Sequence, residues 1–116
     1  MTREIILKRI DGTGIRREAD FAVPINGKQV SLPYLVVRTK ETITGSDNGK
    51  VRLVKIEWAV ALFAYNRDLT LESKILEALQ GVEKVEVIPY PDGSPYQTTF
   101  KFTTNQIVRG GTDYGK

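Results

Sequence analysis

The chain has 116 residues, of which 41% are apolar and 27% are charged, a balance typical of one soluble globular domain. It contains neither cysteine nor histidine, which excludes disulfides, thiolate nucleophiles, imidazole bases and the commonest ligands of transition metals. The net charge is +3, and residues 1–40 carry eight basic against four acidic residues, so positive charge is concentrated in the N-terminal third.

The first predicted helix begins after Thr2, whose hydroxyl can cap its N-terminus. Its apolar stripe consists of Ile5, Ile6, Leu7 and Ile10. Residues 12–31 are polar and mixed in pattern, and they predict a loop or a weak hairpin. A strand is predicted from about Tyr34 to Lys40, and residues 42–50 predict a turn because glycine, asparagine and aspartate cluster there.

The clearest strand pattern lies in residues 51–65. One face carries an alternating series of apolar residues: Val54, Ile56, Trp58, Val60 and Leu62. The opposite face turns apolar at Ala59, Ala61 and Phe63, which predicts that the second half of the strand is covered on both faces. A neighbouring subunit is one possible cover, and Trp58 is expected to pack in the core.

A second helix is predicted after Asp68, a good N-cap residue, and Gly81 is suited to the left-handed position that ends a helix. Its apolar side is formed by Leu71, Ile75, Leu76 and Leu79. Glu72 complements the helix dipole, and both Glu72 and Glu77 are expected on solvated faces.

Two strands close the predicted domain, residues 84–90 and 96–104, with an Asp-Gly turn between them. The element order is α-β-β-α-β-β, which predicts an α+β fold: a four-stranded, mainly antiparallel sheet with two helices packed on one face. We assign residues 1–107 to this single domain and residues 108–116 to a flexible C-terminal tail.

No catalytic constellation is visible in the sequence. The glycine-containing segments match no phosphate-binding pattern. Glu72 and Glu77 are five residues apart on one helix, so they do not converge as an acid and a base. We therefore expect no enzymatic activity and no cofactor or metal.

A series of structural motifs runs through residues 32–79. They are Leu32-Pro33-Tyr34 at the start of a strand, Asp47-Asn48 in a turn, Phe63 to Tyr65 at the end of the long strand, and Asp68, Leu71-Glu72 and Leu79 around the second helix. Together with the closing pair of strands, this series is similar to the tail terminators, the small tail-completion proteins of long-tailed phages and prophages.

The resemblance implies an assembly role without catalysis. Terminators form a homo-oligomeric ring, usually of six copies, that caps the tail tube protein and joins it to the head connector or stopper. Such a chain is part of the virion tail or neck, is assembled in the cytoplasm of the bacterial host and makes no membrane contact.

Two groups of residues are candidates for these contacts. The candidate subunit interface consists of Ala61, Phe63 and Tyr65 at the aromatic end of the long strand. The candidate contacts with the connector, or non-specifically with DNA in the lumen, are Lys8, Arg9, Arg16, Arg17 and Lys50.

Two other interpretations stay open. A head-completion or connector protein shares the neck location and the ring symmetry. A small module of a mobile element could instead bind nucleic acid or a host protein through its basic N-terminal third.

Overall fold

A computed structural model of the chain describes residues 2–18, 31–47, 51–92 and 95–109. Its elements are α1 (Arg3–Asp11), β1 (Arg17–Glu18), β2 (Tyr34–Asp47), β3 (Val51–Ala64), α2 (Leu69–Ala78), β4 (Glu86–Tyr90) and β5 (Tyr96–Arg109).

The strands form one sheet in the order β1-β2-β3-β5-β4. β1 runs parallel to β2, and the other neighbouring pairs are antiparallel. The fold is therefore α+β with a mixed five-stranded sheet, one strand more than predicted. The additional strand, β1, comes from the predicted loop. Its two described residues pair with Leu35 and Val36 of β2, and two residues are too few to show an alternating pattern. The rest of that predicted loop, residues 19–30, lies outside the described residues.

Three strands have 14 residues each, and two of them are longer than the sequence predicts. β2 does not end near Lys40 but continues to Asp47, through a bulge between Ile43 and Gly45, because β3 pairs with it residue by residue. β5 likewise runs through Val108 and Arg109, which we assigned to the tail, because both pair with the start of β3. Cross-strand pairing has outweighed the weak strand propensity of these segments.

Both helices pack on the same face of the sheet, as predicted. The core between them contains Ile6 and Ile10 of α1, Ile75 and Leu79 of α2, and the alternating apolar residues of β3. Trp58 lies at its centre and is only 2% exposed, which confirms its predicted place in the core.

The helix N-caps are also confirmed. The Thr2 hydroxyl accepts a hydrogen bond from the backbone N–H of Ile5 (3.3 Å), and the Asp68 carboxylate accepts one from Leu71 (3.0 Å). The helix α2 ends earlier than predicted, because its C-cap residue is Leu79. Gly81 does adopt a left-handed φ of 90°, but it lies two residues beyond the cap.

The apolar faces of the helices differ in detail from the prediction. Ile5 and Leu76 are 45% and 41% exposed, so neither anchors its helix on the sheet. The buried positions of α2 are instead Glu72, Ile75 and Leu79, three residues and then four residues apart. The prediction that Glu72 lies on a solvated face is therefore wrong.

Candidate functional site

The sheet face opposite the helices, here called the outer face, has a buried apolar cluster at one end. Its members are Tyr34, Val36, Ala61 and Phe63, and Leu32 packs against them. The rings of Tyr34 and Phe63 stack with centroids 4.9 Å apart and an interplanar angle of 14°. Since Val60 and Leu62 are buried on the other face, the second half of β3 is covered on both faces, as predicted.

The three candidate subunit-interface residues differ in how far their side chains are exposed. Ala61 and Phe63 are 7% and 5% exposed in a single chain, so their side chains are already covered within one copy. Tyr65, just beyond the end of β3, is 79% exposed. Of the three, only Tyr65 presents most of its side chain to a partner.

The middle of the outer face is charged. A shallow concavity at Ala59 is lined by four basic and three acidic side chains: Arg38, Lys40, Lys84, Lys101, Glu57, Glu83 and Glu86. Lys40 lies directly opposite Glu57, and Lys101 lies directly opposite Glu86, so each of these two acidic residues faces a lysine across neighbouring strands. The middle of the outer face is therefore a solvated, moderately basic surface.

The far end of the sheet extends beyond the helices, and we call this part the arm: residues 43–47, 51–53 and 107–109. A 14-residue strand spans about 45 Å, whereas helices of nine or ten residues span about 15 Å, so the helices cannot cover the whole sheet. The arm exposes three large aliphatic side chains, Ile43 (57%), Leu53 (46%) and Ile107 (56%). This surface was not predicted, because the strand patterns of β2 and β5 in the sequence end before these residues.

The candidate basic contacts gather at one place in the fold. Lys8 and Arg9 are exposed in the last turn of α1, and Arg16 and Arg17 follow at β1; Lys50 lies outside the described residues. The guanidinium of Arg16 contacts the carboxylate of Glu18 and donates to the carbonyl of Ser31 at 2.6 Å.

The other two arginines of this group are also held by protein acceptors. Arg9 donates to the backbone carbonyl of Gln80, just beyond α2, at 2.7 Å. Arg17 forms a two-point ion pair with Asp11, with N–O distances of 2.9 and 3.0 Å. These contacts orient the arginines on the surface and use part of their hydrogen-bonding capacity.

Glu72 is the one buried carboxylate among the described residues. It accepts hydrogen bonds from the Arg67 guanidinium at 3.1 and 3.3 Å and from the Thr98 hydroxyl at 3.2 Å. The hydrogen bond and charge of Glu72 raise the pKa of Arg67, so this arginine remains a cation. This contact ties the first turn of α2 to β5, which is a structural role.

Two classes of site have no counterpart in the described part of the chain. Its acidic side chains form no cluster of three or more that could hold a metal ion. Neither α1 nor α2 has the length and apolar character that crossing a membrane requires.

Comparisons with protein-family models, curated proteins and solved structures found no significant match to this chain. The fold itself defines the class of protein, an α+β domain with an extended mixed sheet.

Proposed function

We propose that the chain is a virion assembly protein of the tail-terminator class, which forms a ring on the finished tail tube and joins it to the head connector. The observation that carries this proposal is the extent of the terminator-like segment. Residues 32–79 coincide with one continuous unit of the fold, β2, β3 and α2. The motifs lie at the ends of its elements, since Tyr34 begins β2 and Asp68 caps α2.

The distribution of exposed apolar side chains also supports an assembly role. One group is on the arm: Ile43, Leu53 and Ile107. A second group lies past the opposite end of β3, where Tyr65 is 79% and Leu69 is 64% exposed. Apolar patches at opposite ends of a chain suit head-to-tail contacts between copies, and such contacts generate rings when the rotation between neighbours closes.

We assign the basic group at the C-terminal end of α1 and β1 to contacts with the connector or with DNA in the lumen. The side chains of Arg16 and Arg17 are 46% and 40% exposed despite their ion pairs. A guanidinium has five N–H donors, so an arginine held by one carboxylate can still donate to a phosphate or to a partner's carboxylate. Lys8 is exposed in the last turn of α1, and Lys50, which lies outside the described residues, completes the assigned group.

Two measurements test the proposed function. Size-exclusion chromatography with light scattering gives the mass of the assembly, and a ring of six 13.0 kDa chains has a mass of about 78 kDa. Because a ring can also form on the tube end alone, the chain is mixed with tail tubes prepared without their end protein and examined by electron microscopy. We expect a disc at one end of each tube.

A charge-reversal variant tests the assigned basic group. Lys8→Glu combined with Arg9→Glu is expected to reduce joining of heads to capped tails without changing the far-UV circular dichroism spectrum. Lys40→Glu combined with Lys84→Glu makes the same change in net charge at exposed residues of the outer-face concavity and serves as the control. A chain that forms no ring and binds no tube end contradicts the proposed function, whereas equal joining by both variants contradicts only the assignment of the basic group.

A further inference from the structure

The arm carries two aliphatic side chains side by side on its outer face. Leu53 on β3 lies directly opposite Ile107 on β5, and they are 46% and 56% exposed. Both project from the outer face, because each is six residues from a member of the outer-face pair Ala59 and Lys101. Gly45 lies opposite Leu53 on β2, and a Cβ there would be 3.3 Å from the Leu53 Cδ1. Leu53 and Ile107, here called the apolar pair, therefore have no side chain beside them at Gly45.

A small concavity lies at the opposite end of β3, where the chain passes from this strand into α2. Its volume is about 220 Å³, and Pro33, Ala64, Tyr65 and Leu71 are among the residues that line it. We call it the end concavity. Tyr65 is 79% exposed, and Leu69 in the first turn of α2 is 64% exposed. A cavity of about 150 Å³ holds a molecule of the size of benzene, so the end concavity can accommodate one aliphatic side chain.

The apolar pair and the end concavity cannot contact each other within one copy. Leu53 is near the start of β3, and Tyr65 directly follows its last residue. A strand rises about 3.3 Å per residue, so about 40 Å separates the two sites. An apolar projection at one end of the chain and a concavity of suitable size at the other can therefore meet only between two copies.

The two ends of the sheet also differ in net charge. The described residues 43–47, 51–55 and 105–109, at the arm end, contain three basic residues and one acidic residue, a net charge of +2. Residues 63–73, 90–92 and 95–97, at the other end, contain one basic and three acidic residues, a net charge of −2. Opposite charges on two surfaces favour contact between them and disfavour contact between like surfaces.

We propose that the apolar pair of one copy binds the end concavity of the next copy. One aliphatic side chain of the pair fills the concavity, and the other packs against Tyr65 and Leu69. The contact joins two different surfaces, so it repeats from copy to copy and gives a ring when the rotation between neighbours closes. The inference rests on the proposed function, because it supplies the contact between neighbours in the proposed ring.

A second copy is favoured over an unrelated partner because this chain carries both halves of the contact. The projection and the concavity agree in size and apolar character, and the ends that carry them have opposite charge. Contact between two arms would instead bring together two ends of the same positive charge, which repulsion disfavours.

Chemical cross-linking tests this contact, since the chain has no cysteine of its own. One single-cysteine variant is Asn105→Cys, on the outer face of β5 two residues before Ile107, and the other is Asn66→Cys, in the lining of the end concavity. Both asparagines are exposed, and neither belongs to the apolar pair. One variant carries an affinity tag, so that a cross-link between the two variants has its own mass. A short bismaleimide joins the cysteines without the strict geometry of a disulfide.

The two variants are mixed in equal amounts, in solution and on tail tubes. We expect about tenfold more cross-linked dimer from the mixture than from either variant alone. Adding Ile107→Ser to both variants should reduce this yield about fivefold, because it removes half of the apolar pair.

Ile43→Ser is the matched control for Ile107→Ser. Ile43 is 57% exposed on the same arm, but it pairs with Val54 and therefore lies on the face that carries the helices. Its substitution should change the yield by less than about twofold. Circular dichroism of each variant verifies that it is folded.

The outcomes separate this inference from the proposed function. Dimers from either variant alone, at the yield of the mixture, would mean that like ends meet and would overturn the head-to-tail contact. Equal losses from Ile107→Ser and Ile43→Ser would overturn the role of the apolar pair. A ring or a capped tube without cross-links in the mixture would assign the two ends to other partners, overturning this contact and leaving the proposed function intact. Cross-links without tube capping would support the contact and contradict the proposed function.

Discussion

The buried hydrogen bond between Trp58 and Thr104 gives the sharpest test of the core. The indole Nε1–H donates to the Thr104 hydroxyl at 2.8 Å, and the two residues are 2% and 7% exposed. Thr104→Val keeps the shape of the side chain but removes the acceptor, so the indole N–H is left without a partner. An unsatisfied buried polar group costs about 1–3 kcal/mol, and we expect the free energy of unfolding to fall by about 2 kcal/mol.

The reciprocal substitution completes a double-mutant cycle. Trp58→Phe removes the donor and part of the ring that stacks on Phe102, whose centroid lies 5.5 Å away. The expected loss is about 2–3 kcal/mol, from the cavity and the lost hydrogen bond. In Trp58→Phe combined with Thr104→Val neither polar group is left alone, so the combined loss should be smaller than the sum of the single losses by about 1 kcal/mol.

Urea unfolding followed by far-UV circular dichroism measures all four chains, since Trp58 is the single tryptophan and its fluorescence is lost in two of them. Thr103→Val is the matched control, because Thr103 is exposed on the outer face, and its effect should stay within about 0.5 kcal/mol. Additive losses in the cycle, or a Thr104→Val chain as stable as its parent, would refute the role of this hydrogen bond.

Five further substitutions test the assignments made for α2 and for the segments on either side of it. Ile75→Ala should lower the free energy of unfolding by about 2–5 kcal/mol, because Ile75 is fully buried. Leu76 is 41% exposed, so Leu76→Ala should lower it by only about 1 kcal/mol. Equal losses for the two variants in urea titrations would contradict the observed faces of the helix. Arg67→Ala should lower the melting temperature more than Glu72→Gln, because only the first leaves a buried carboxylate without its cation. Lys84→Asn should stabilise the chain by about 0.5 kcal/mol in the same titration, because Lys84 has a φ of 55°, which asparagine tolerates better.

The parts of the fold that depend on local chemistry could be predicted from the sequence. A threonine or an aspartate before a helix satisfies backbone N–H groups of the first turn, which is why Thr2 and Asp68 are found at the expected caps. The alternation around Trp58 likewise identified the core face of β3, because a strand places every second residue on the same side.

Leu76 was predicted to be buried and Glu72 to be exposed, whereas the structure shows the reverse. This reversal depends on contacts that no local sequence pattern contains. Hydropathy favours Leu76 for the core, yet the helix is rotated so that Glu72 faces the sheet. That rotation is tolerated because Arg67 precedes the helix and Thr98 lies beneath it on β5, and both hydrogen-bond the carboxylate. The second of these partners is 26 residues away, so the burial of Glu72 follows from the tertiary arrangement of the sheet.

The lengths of β2 and β5 depended on tertiary pairing for a related reason. Local patterns ended these strands near Lys40 and Thr104, yet residues 41–47 and 105–109 continue them. Both extensions pair with β3, so the position of a strand's end is set by the partner beside it as well as by its own composition. β3 therefore carries its two neighbours beyond the ends that their own sequences predict.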